Sequence, residues 1–360
     1  MPYTWTTGET ITAAKLNPTV VSLTASSITD SWTSRTAMTT ARFYPASAGL
    51  GSYLYVFGGY TSGPVATNER YDPSANSWTS RASMGTARYF LAGSALGSYV
   101  YSIGGRTDSV ALSTVEQYDP SANTWTAKAS LSAIKYGLAA SSNSSKVYAY
   151  SGRNTSTILA TVEEYDPVGN TWTSKTSVNT AREGLAGATV GTFIYAYGGS
   201  TGSNSAVTER YDPTANSWIS RANMNTARKE LAGAALGGYA YSFGGDTGSV
   251  SAVTEQYDPG TNTWATRATL GTARKQLTGS SLGDYFYSFG GYTTASVGTT
   301  ERYGPFSSGT TQSITRDSLC VAYSPGVKIR NRTNYASGSI VYAKNGDTIE
   351  ADGATDVIIF

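Results

Sequence analysis

Glu69–Trp78 reads ERYDPSANSW, a carboxylate and a cation beside an aromatic and an Asp-Pro turn. Such a grouping could be an active site or a piece of scaffold. The chain repeats it as EQYDPSANTW from Glu116, EEYDPVGNTW from Glu163, ERYDPTANSW from Glu209 and EQYDPGTNTW from Glu255. A catalytic group is rarely needed five times, so the motif reads as architecture. Within it Pro73 presets φ for the first central position of a turn, Asp72 can bond the backbone that follows, and Asn76 tolerates a left-handed conformation. The stretch is therefore a strand, a tight connection and a second strand.

Tryptophans recur at Trp32, Trp78, Trp125, Trp172, Trp218 and Trp264, in steps of 46, 47, 47, 46 and 46 residues. A diglycine keeps the same phase at Gly58-Gly59, Gly104-Gly105, Gly198-Gly199, Gly244-Gly245 and Gly290-Gly291, with Ser151-Gly152 as the one degraded copy. Alternating apolar segments between these marks predict four short strands per repeat. Diglycine, then Tyr about a dozen residues on, then Trp seven beyond the Tyr, resembles the kelch repeat over residues 30–305. The resemblance implies an all-β, six-bladed propeller with one four-stranded blade per repeat.

The last repeat ends at ERYGPF, where Gly304 stands in place of the Asp and no Trp follows. The complementary fragment, DSWTSR from Asp30, lies at the other end of the chain. An N-terminal outer strand is thus expected to close the ring, which removes exposed sheet edges.

Two charged positions also repeat: Glu69, Glu116, Glu163, Glu209, Glu255 and Glu301 on the third strand, and Arg42, Arg88, Lys135, Arg182, Arg228 and Arg274 before the first. Equal numbers at fixed phase suit one structural ion pair per blade rather than a cationic funnel.

In a repeat protein the shared positions build the fold, so function is sought where the copies diverge. After the cation come Phe43-Tyr44, Tyr89-Phe90 and Tyr136-Gly137, then Glu183-Gly184, Lys229-Glu230 and Lys275-Gln276. After the diglycine come Tyr60, Arg106, Arg153, Ser200, Asp246 and Tyr292. The kelch arrangement implies that both sets open onto one face. Phe43, Tyr44, Tyr60, Tyr89, Phe90, Arg106, Tyr136, Arg153 and Tyr292 are the candidate ligand-binding residues, since rings stack on sugar faces and Tyr and Arg anchor protein interfaces.

A net charge of +2 without a basic stripe argues against nucleic-acid binding. There is no histidine and a single cysteine, Cys320, which is read as a small buried hydrophobe. A galactose-oxidase type of copper site is thereby excluded, and the Ser-x-Asp-x-Gly-x-Thr-Trp boxes of sialidases do not occur. No cofactor, metal or catalytic residue is assigned, although Asp108, Glu183, Glu230 and Asp246 could stand near the channel mouth. The sequence shows neither a secretory signal nor the roughly 18 consecutive apolar residues of a spanning helix.

Residues 1–29 read as an attachment segment. Within them TWTTGETITAAKLN (Thr4–Asn17) resembles a segment found near the N-termini of tailed-phage tail, fibre and minor structural proteins. Residues 306–312 are Ser/Thr/Gly-rich and read as a linker, and residues 313–360 as a small β module with a hairpin signal at Asn345-Gly346. Neither end holds enough large apolar side chains for a core of its own, so both are expected to dock on other virion proteins or on further copies of this chain. The expected function is a non-enzymatic virion protein, made in the host cytoplasm, that presents the propeller face to a host glycan or protein. A carbohydrate-active kelch enzyme of epimerase or hydrolase type and an intracellular kelch interaction scaffold are the alternatives.

Overall fold

The computed structural model describes residues 21–314, 340–343 and 356–359. Asp30–Gly304 forms one unit; Met1–Thr29 and Pro305–Phe360 form the other.

The larger unit is a six-bladed propeller in which every blade is a four-stranded antiparallel sheet. Blade 1 runs Ala46–Leu50, Tyr53–Phe57, Asn68–Asp72 and Ser77–Arg81 from the channel outward. Blades 2 to 5 repeat that order and end on Thr124–Lys128, Thr171–Lys175, Ser217–Arg221 and Thr263–Arg267. Blade 6 takes Thr278–Leu282, Tyr285–Phe289 and Thr300–Tyr303 from the C-terminal side, and its outer strand, Trp32–Arg35, from the N-terminal side. Trp32 lies opposite Tyr303 and Arg35 opposite Thr300, as the broken repeat requires.

Each Trp ties its blade to the preceding one. The indole N–H of Trp78 donates to the Thr36 carbonyl at 2.8 Å, that of Trp125 to Ala82 at 2.8 Å, and that of Trp32 to Ala268 at 3.0 Å, which completes the circle. The turn Asn two residues before the Trp adds a second tie. Asn76 sits at φ 50°, and its Oδ1 accepts the Tyr71 hydroxyl at 2.7 Å and the Thr36 N–H of blade 6 at 3.0 Å. In blade 6 this part is taken by Asp30, which accepts the Tyr303 hydroxyl and the Ala268 N–H, both at 2.7 Å.

Inner strands are built from small residues because the blades converge at the axis. A Cβ on Gly93 would lie 2.8 Å from the Ser47 carbonyl oxygen of blade 1 and 2.9 Å from Phe57 Cζ. At three further seams a ring at the end of strand two is met by glycine on the next inner strand: Tyr150 faces Gly187, Tyr197 faces Gly233 and Phe243 faces Gly279, while after Phe289 the same position is taken by Ser47. Where that ring is replaced by Ile103, the next inner strand carries Ala140, and both belong to one apolar cluster. Gly93→Ala is expected to cost about 1–3 kcal/mol through overpacking. In chemical denaturation, Phe57→Ile combined with Gly93→Ala should cost less than the sum of the two single changes. Strict additivity would refute the complementarity.

In the smaller unit Val21–Ile28 pairs antiparallel with Phe306–Ile314. Residues 306–312 are therefore strand and not linker. Their polar composition hides a β-branched content at Thr310 and Thr311 that suits a ladder once a partner supplies the hydrogen bonds. Ile340–Ala343 pairs parallel with Asp356–Ile359, so these strands are not the two arms of a hairpin. Thr4–Asn17, Cys320 and Asn345-Gly346 lie outside the described residues.

Candidate functional site

Both divergent residue sets meet at the diglycine end of the channel. In each blade the residue after the cation and the residue after the diglycine form a two-way backbone bridge: Phe43 with Tyr60, Tyr89 with Arg106, Tyr136 with Arg153, Glu183 with Ser200, Lys229 with Asp246 and Lys275 with Tyr292. The diglycine makes this possible. Gly58 and Gly59 adopt φ of 65° and 103°, and a Cβ on Gly59 would lie 3.0 Å from the Phe43 carbonyl oxygen.

One step nearer the axis, Tyr44, Phe90, Gly137, Gly184, Glu230 and Gln276 form a closed circle of backbone hydrogen bonds. Each N–H donates to the preceding blade's carbonyl, and the Tyr44 N–H returns to the Gln276 carbonyl at 2.7 Å. All six have φ between 53° and 60°, which only Gly137 and Gly184 adopt without strain. This ring was not anticipated; its only trace in the sequence is the pair of glycines at that phase.

Around the mouth the aromatic candidates form one continuous arc over blades 6, 1, 2 and 3. Ring centroids are 5.4 Å apart for Tyr292 and Phe43, 5.2 Å for Phe43 and Tyr60, 4.9 Å for Tyr60 and Tyr89, 4.1 Å for Tyr44 and Phe90, and 5.9 Å for Phe90 and Tyr136. Most of the rings are only partly buried. The Arg106 guanidinium lies between Tyr89 and Tyr136, at 5.6 and 5.0 Å from their centroids.

The other half of the mouth is charged and internally paired. Arg153 Nη1 meets Glu183 Oε1 at 3.0 Å, and Lys275 Nζ meets Asp246 Oδ2 at 2.7 Å. Burial disfavours the Asp246 carboxylate, but Lys275 and the Gly248 N–H outweigh it and hold its pKa below the usual range. Glu230 accepts the Tyr44 hydroxyl at 2.5 Å and the Gln276 amide at 2.8 Å. Burial, reinforced by Glu230, raises the Tyr44 phenol well above its ordinary pKa, so it stays a neutral donor. Three of the four mouth carboxylates are thus committed, and Asp108 is exposed on a loop. Among the described residues no group of three or more His, Cys, Asp or Glu converges on a metal position, and no helix is long and apolar enough to cross a membrane.

Behind the mouth the channel holds a space of about 120 Å3 and, further along the inner strands, one of about 250 Å3, lined by small residues such as Ser47, Gly93, Ala140 and Gly187. Pockets for ordinary small ligands run to roughly 300–1,000 Å3.

The repeated charges lie elsewhere. Arg42–Glu69, Arg88–Glu116, Lys135–Glu163, Arg182–Glu209, Arg228–Glu255 and Arg274–Glu301 are ion pairs of 2.6 to 3.0 Å with side chains almost wholly buried. The guanidinium also bonds the first carbonyl of the diglycine, as Arg228 Nη1 does to Gly244 at 2.7 Å. The carboxylate accepts backbone N–H groups of the incoming loop, as Glu69 does from Thr40 at 3.0 Å. These pairs pin the diglycine turn to strand three and leave no cationic funnel.

The chain belongs to the kelch family: the Kelch motif matches residues 41–85, 87–132, 135–179, 181–225 and 227–271. The matches cover blades 1 to 5, whose four strands run continuously in sequence. A similar solved structure is that of YjhT, which is 14% identical and aligns over 74% of this chain and 95% of that chain, with a TM-score of 0.65. At that identity the likeness speaks for the fold alone. No curated protein matches the chain. The kelch propeller is in general a binding scaffold and is commonly non-enzymatic.

Proposed function

We propose that this chain is a non-enzymatic binding protein of a tailed-phage virion, which presents the diglycine face of its propeller to a glycan or protein on the host surface. The observation that carries the binding half is the aromatic arc from Tyr292 to Tyr136, concentrated on one side of one face. Such half-exposed rings match the apolar faces of pyranoses, and the Arg106 guanidinium stands over two of them as a hydrogen-bond donor. The virion half rests on the resemblance of Thr4–Asn17 to phage structural proteins. The enzyme alternative is disfavoured by the engagement of Glu183, Glu230 and Asp246 with Arg153, Tyr44 and Lys275.

A glycan array probed with wild type, Tyr89→Ala and Tyr136→Ala tests the face. The expected result is a loss of at least tenfold in signal for both variants on the glycans that wild type retains. Equal signals would remove the arc as the binding surface, and glycan-independent capture of a host surface protein would select the protein partner. Mass spectrometry of purified virions tests the location, and absence of the chain from particles would end the virion reading.

A further inference from the structure

Gly304, the residue that breaks the sixth copy of the motif, has a consequence on the opposite side of the blade from the Trp ladder. The residue after the repeated Glu runs Arg70, Gln117, Glu164, Arg210, Gln256 and Arg302 around the ring; the last residue of the outer strand runs Arg81, Lys128, Lys175, Arg221, Arg267 and Arg35. These positions share one blade surface as diagonal cross-strand neighbours, since Arg302 lies opposite Thr33, two residues from Arg35. Two blades satisfy the diagonal internally, one by an ion pair and one by a neutral acceptor. Glu164 meets Lys175 at 3.1 Å, and Gln256 accepts from Arg267 Nε at 2.9 Å.

Blades 1, 4 and 6 put two arginines there instead. In blades 1 and 4 a carboxylate stands two residues further along the same strand surface, Asp72 and Asp212, and the proximity of Arg70 contributes to the lowered pKa of Asp72 behind its Ser74 and Ala75 hydrogen bonds. In blade 6 that position is Gly304 at φ 108°, so the strand surface that carries Arg302 and Arg35 has no carboxylate there. The Arg302 guanidinium lies over the Tyr285 ring at 4.0 Å. The groups that face the two arginines are the phenols of Tyr71 and Tyr287. Among the described residues neither arginine has an ion-pair partner, and the Nε of each is buried without a hydrogen-bond acceptor, as are those of Arg70, Arg210 and Arg221, so what sets blade 6 apart is the missing acid.

We infer that the seam between blades 6 and 1 is a binding site for a tetrahedral oxyanion, a phosphate or sulfate group, held by Arg302 and Arg35. The two guanidinium forks provide the donors, the phenol oxygens of Tyr71 and Tyr287 accept from them and hold them in place, and the site is bounded by Tyr285 on one side. Free phosphate and a phosphorylated or sulfated surface group share this chemistry. The site lies toward the end of strand two opposite the diglycine mouth, so it is separate from the face proposed above. An anion bound there would bridge the N-terminal strand that closes the ring to the third strand of the same blade.

Titration of the full chain with inorganic phosphate and with sulfate, against chloride at matched ionic strength, reads the site by calorimetry and by melting temperature. Wild type should bind with saturation and melt higher in phosphate or sulfate than in chloride. Arg302→Gln recreates the Gln–Arg pairing that blade 5 already tolerates at Gln256 and Arg267, so it should fold; its affinity for phosphate should fall at least tenfold. Arg70→Gln, in blade 1, should leave the affinity unchanged. No ion-specific response in wild type, or an equal response in Arg302→Gln, would overturn the assignment, as would an equal loss in Arg70→Gln.

Discussion

A chain that begins at residue 37 is expected to lose its cooperative thermal transition. The deleted segment supplies the whole outer strand of blade 6 and with it the ladder between Trp32–Arg35 and Thr300–Tyr303. Trp32 packs edge-on against Phe243, Phe286 and Tyr303 at centroid distances of 5.3, 5.2 and 5.3 Å. Its loss would bare Phe286 and Tyr303, which are now 0% and 1% exposed, together with an unpaired strand edge. Truncating a fully buried Trp costs about 3–5 kcal/mol and the half-buried Trp32 correspondingly less, while a whole domain is stable by only about 5–15 kcal/mol. The ladder and the two hydrogen bonds to Asp30 add to that loss. Circular dichroism and calorimetric melts should show a broad or absent transition for the truncated chain, and Trp32→Ala should show a reduced but still cooperative one. An unchanged melting temperature after truncation would sink closure by this strand.

Arg228→Ala is expected to destabilise the propeller by about 3–5 kcal/mol, because it leaves the Glu255 carboxylate buried without its counter-charge. Both side chains are 0% exposed and 2.9 Å apart. The guanidinium also serves Val253 O at 2.7 Å and Ser242 Oγ at 2.6 Å, so the substitution strands several acceptors at once. Burial lowers the pKa of the arginines in these pairs, and the partner carboxylate opposes the shift; for Arg274 the balance lies at about 10, which keeps the cation charged at neutral pH. Arg228→Lys should cost less than Arg228→Ala, because blade 3 carries Lys135 at this position, 2.8 Å from Glu163. Urea denaturation of the three proteins measures the ranking. A loss below about 1 kcal/mol for Arg228→Ala would mean that the repeated cation is not part of the scaffold.

The blade order, the closing strand and the neutral charge ring were legible because each follows from spacing. Trp32 without preceding strands and Tyr303 without a following Trp are complementary fragments of one period, and a β-sheet edge needs its partner. The Glu and Arg positions recur in equal number at one phase, which is what a pair inside each blade produces. The left-handed ring of Tyr44, Phe90, Gly137, Gly184, Glu230 and Gln276 was not legible, because four of its six members carry side chains that ordinarily avoid that backbone region. Its hydrogen bonds join residues about one repeat apart and exist only when the circle is shut. The pairing of Phe306–Ile314 with Val21–Ile28 was hidden for a related reason, since a Ser/Thr-rich stretch declares itself a strand only when a partner lies alongside.

The candidate face divides in the same way. That one half of the mouth is aromatic and the other charged can be read from the residues after the repeated cation and the diglycine. Which rings touch, and which charges are already spent on each other, cannot. Tyr44 and Glu230 are 186 residues apart and meet only across the channel mouth. By itself the sequence determined the number of blades, the strand order within them and the point of closure, because period and alternation are local consequences of backbone geometry. The tertiary structure alone decided which side chains at the mouth remain free to receive a ligand, because that depends on contacts between blades, which are set only when the ring closes.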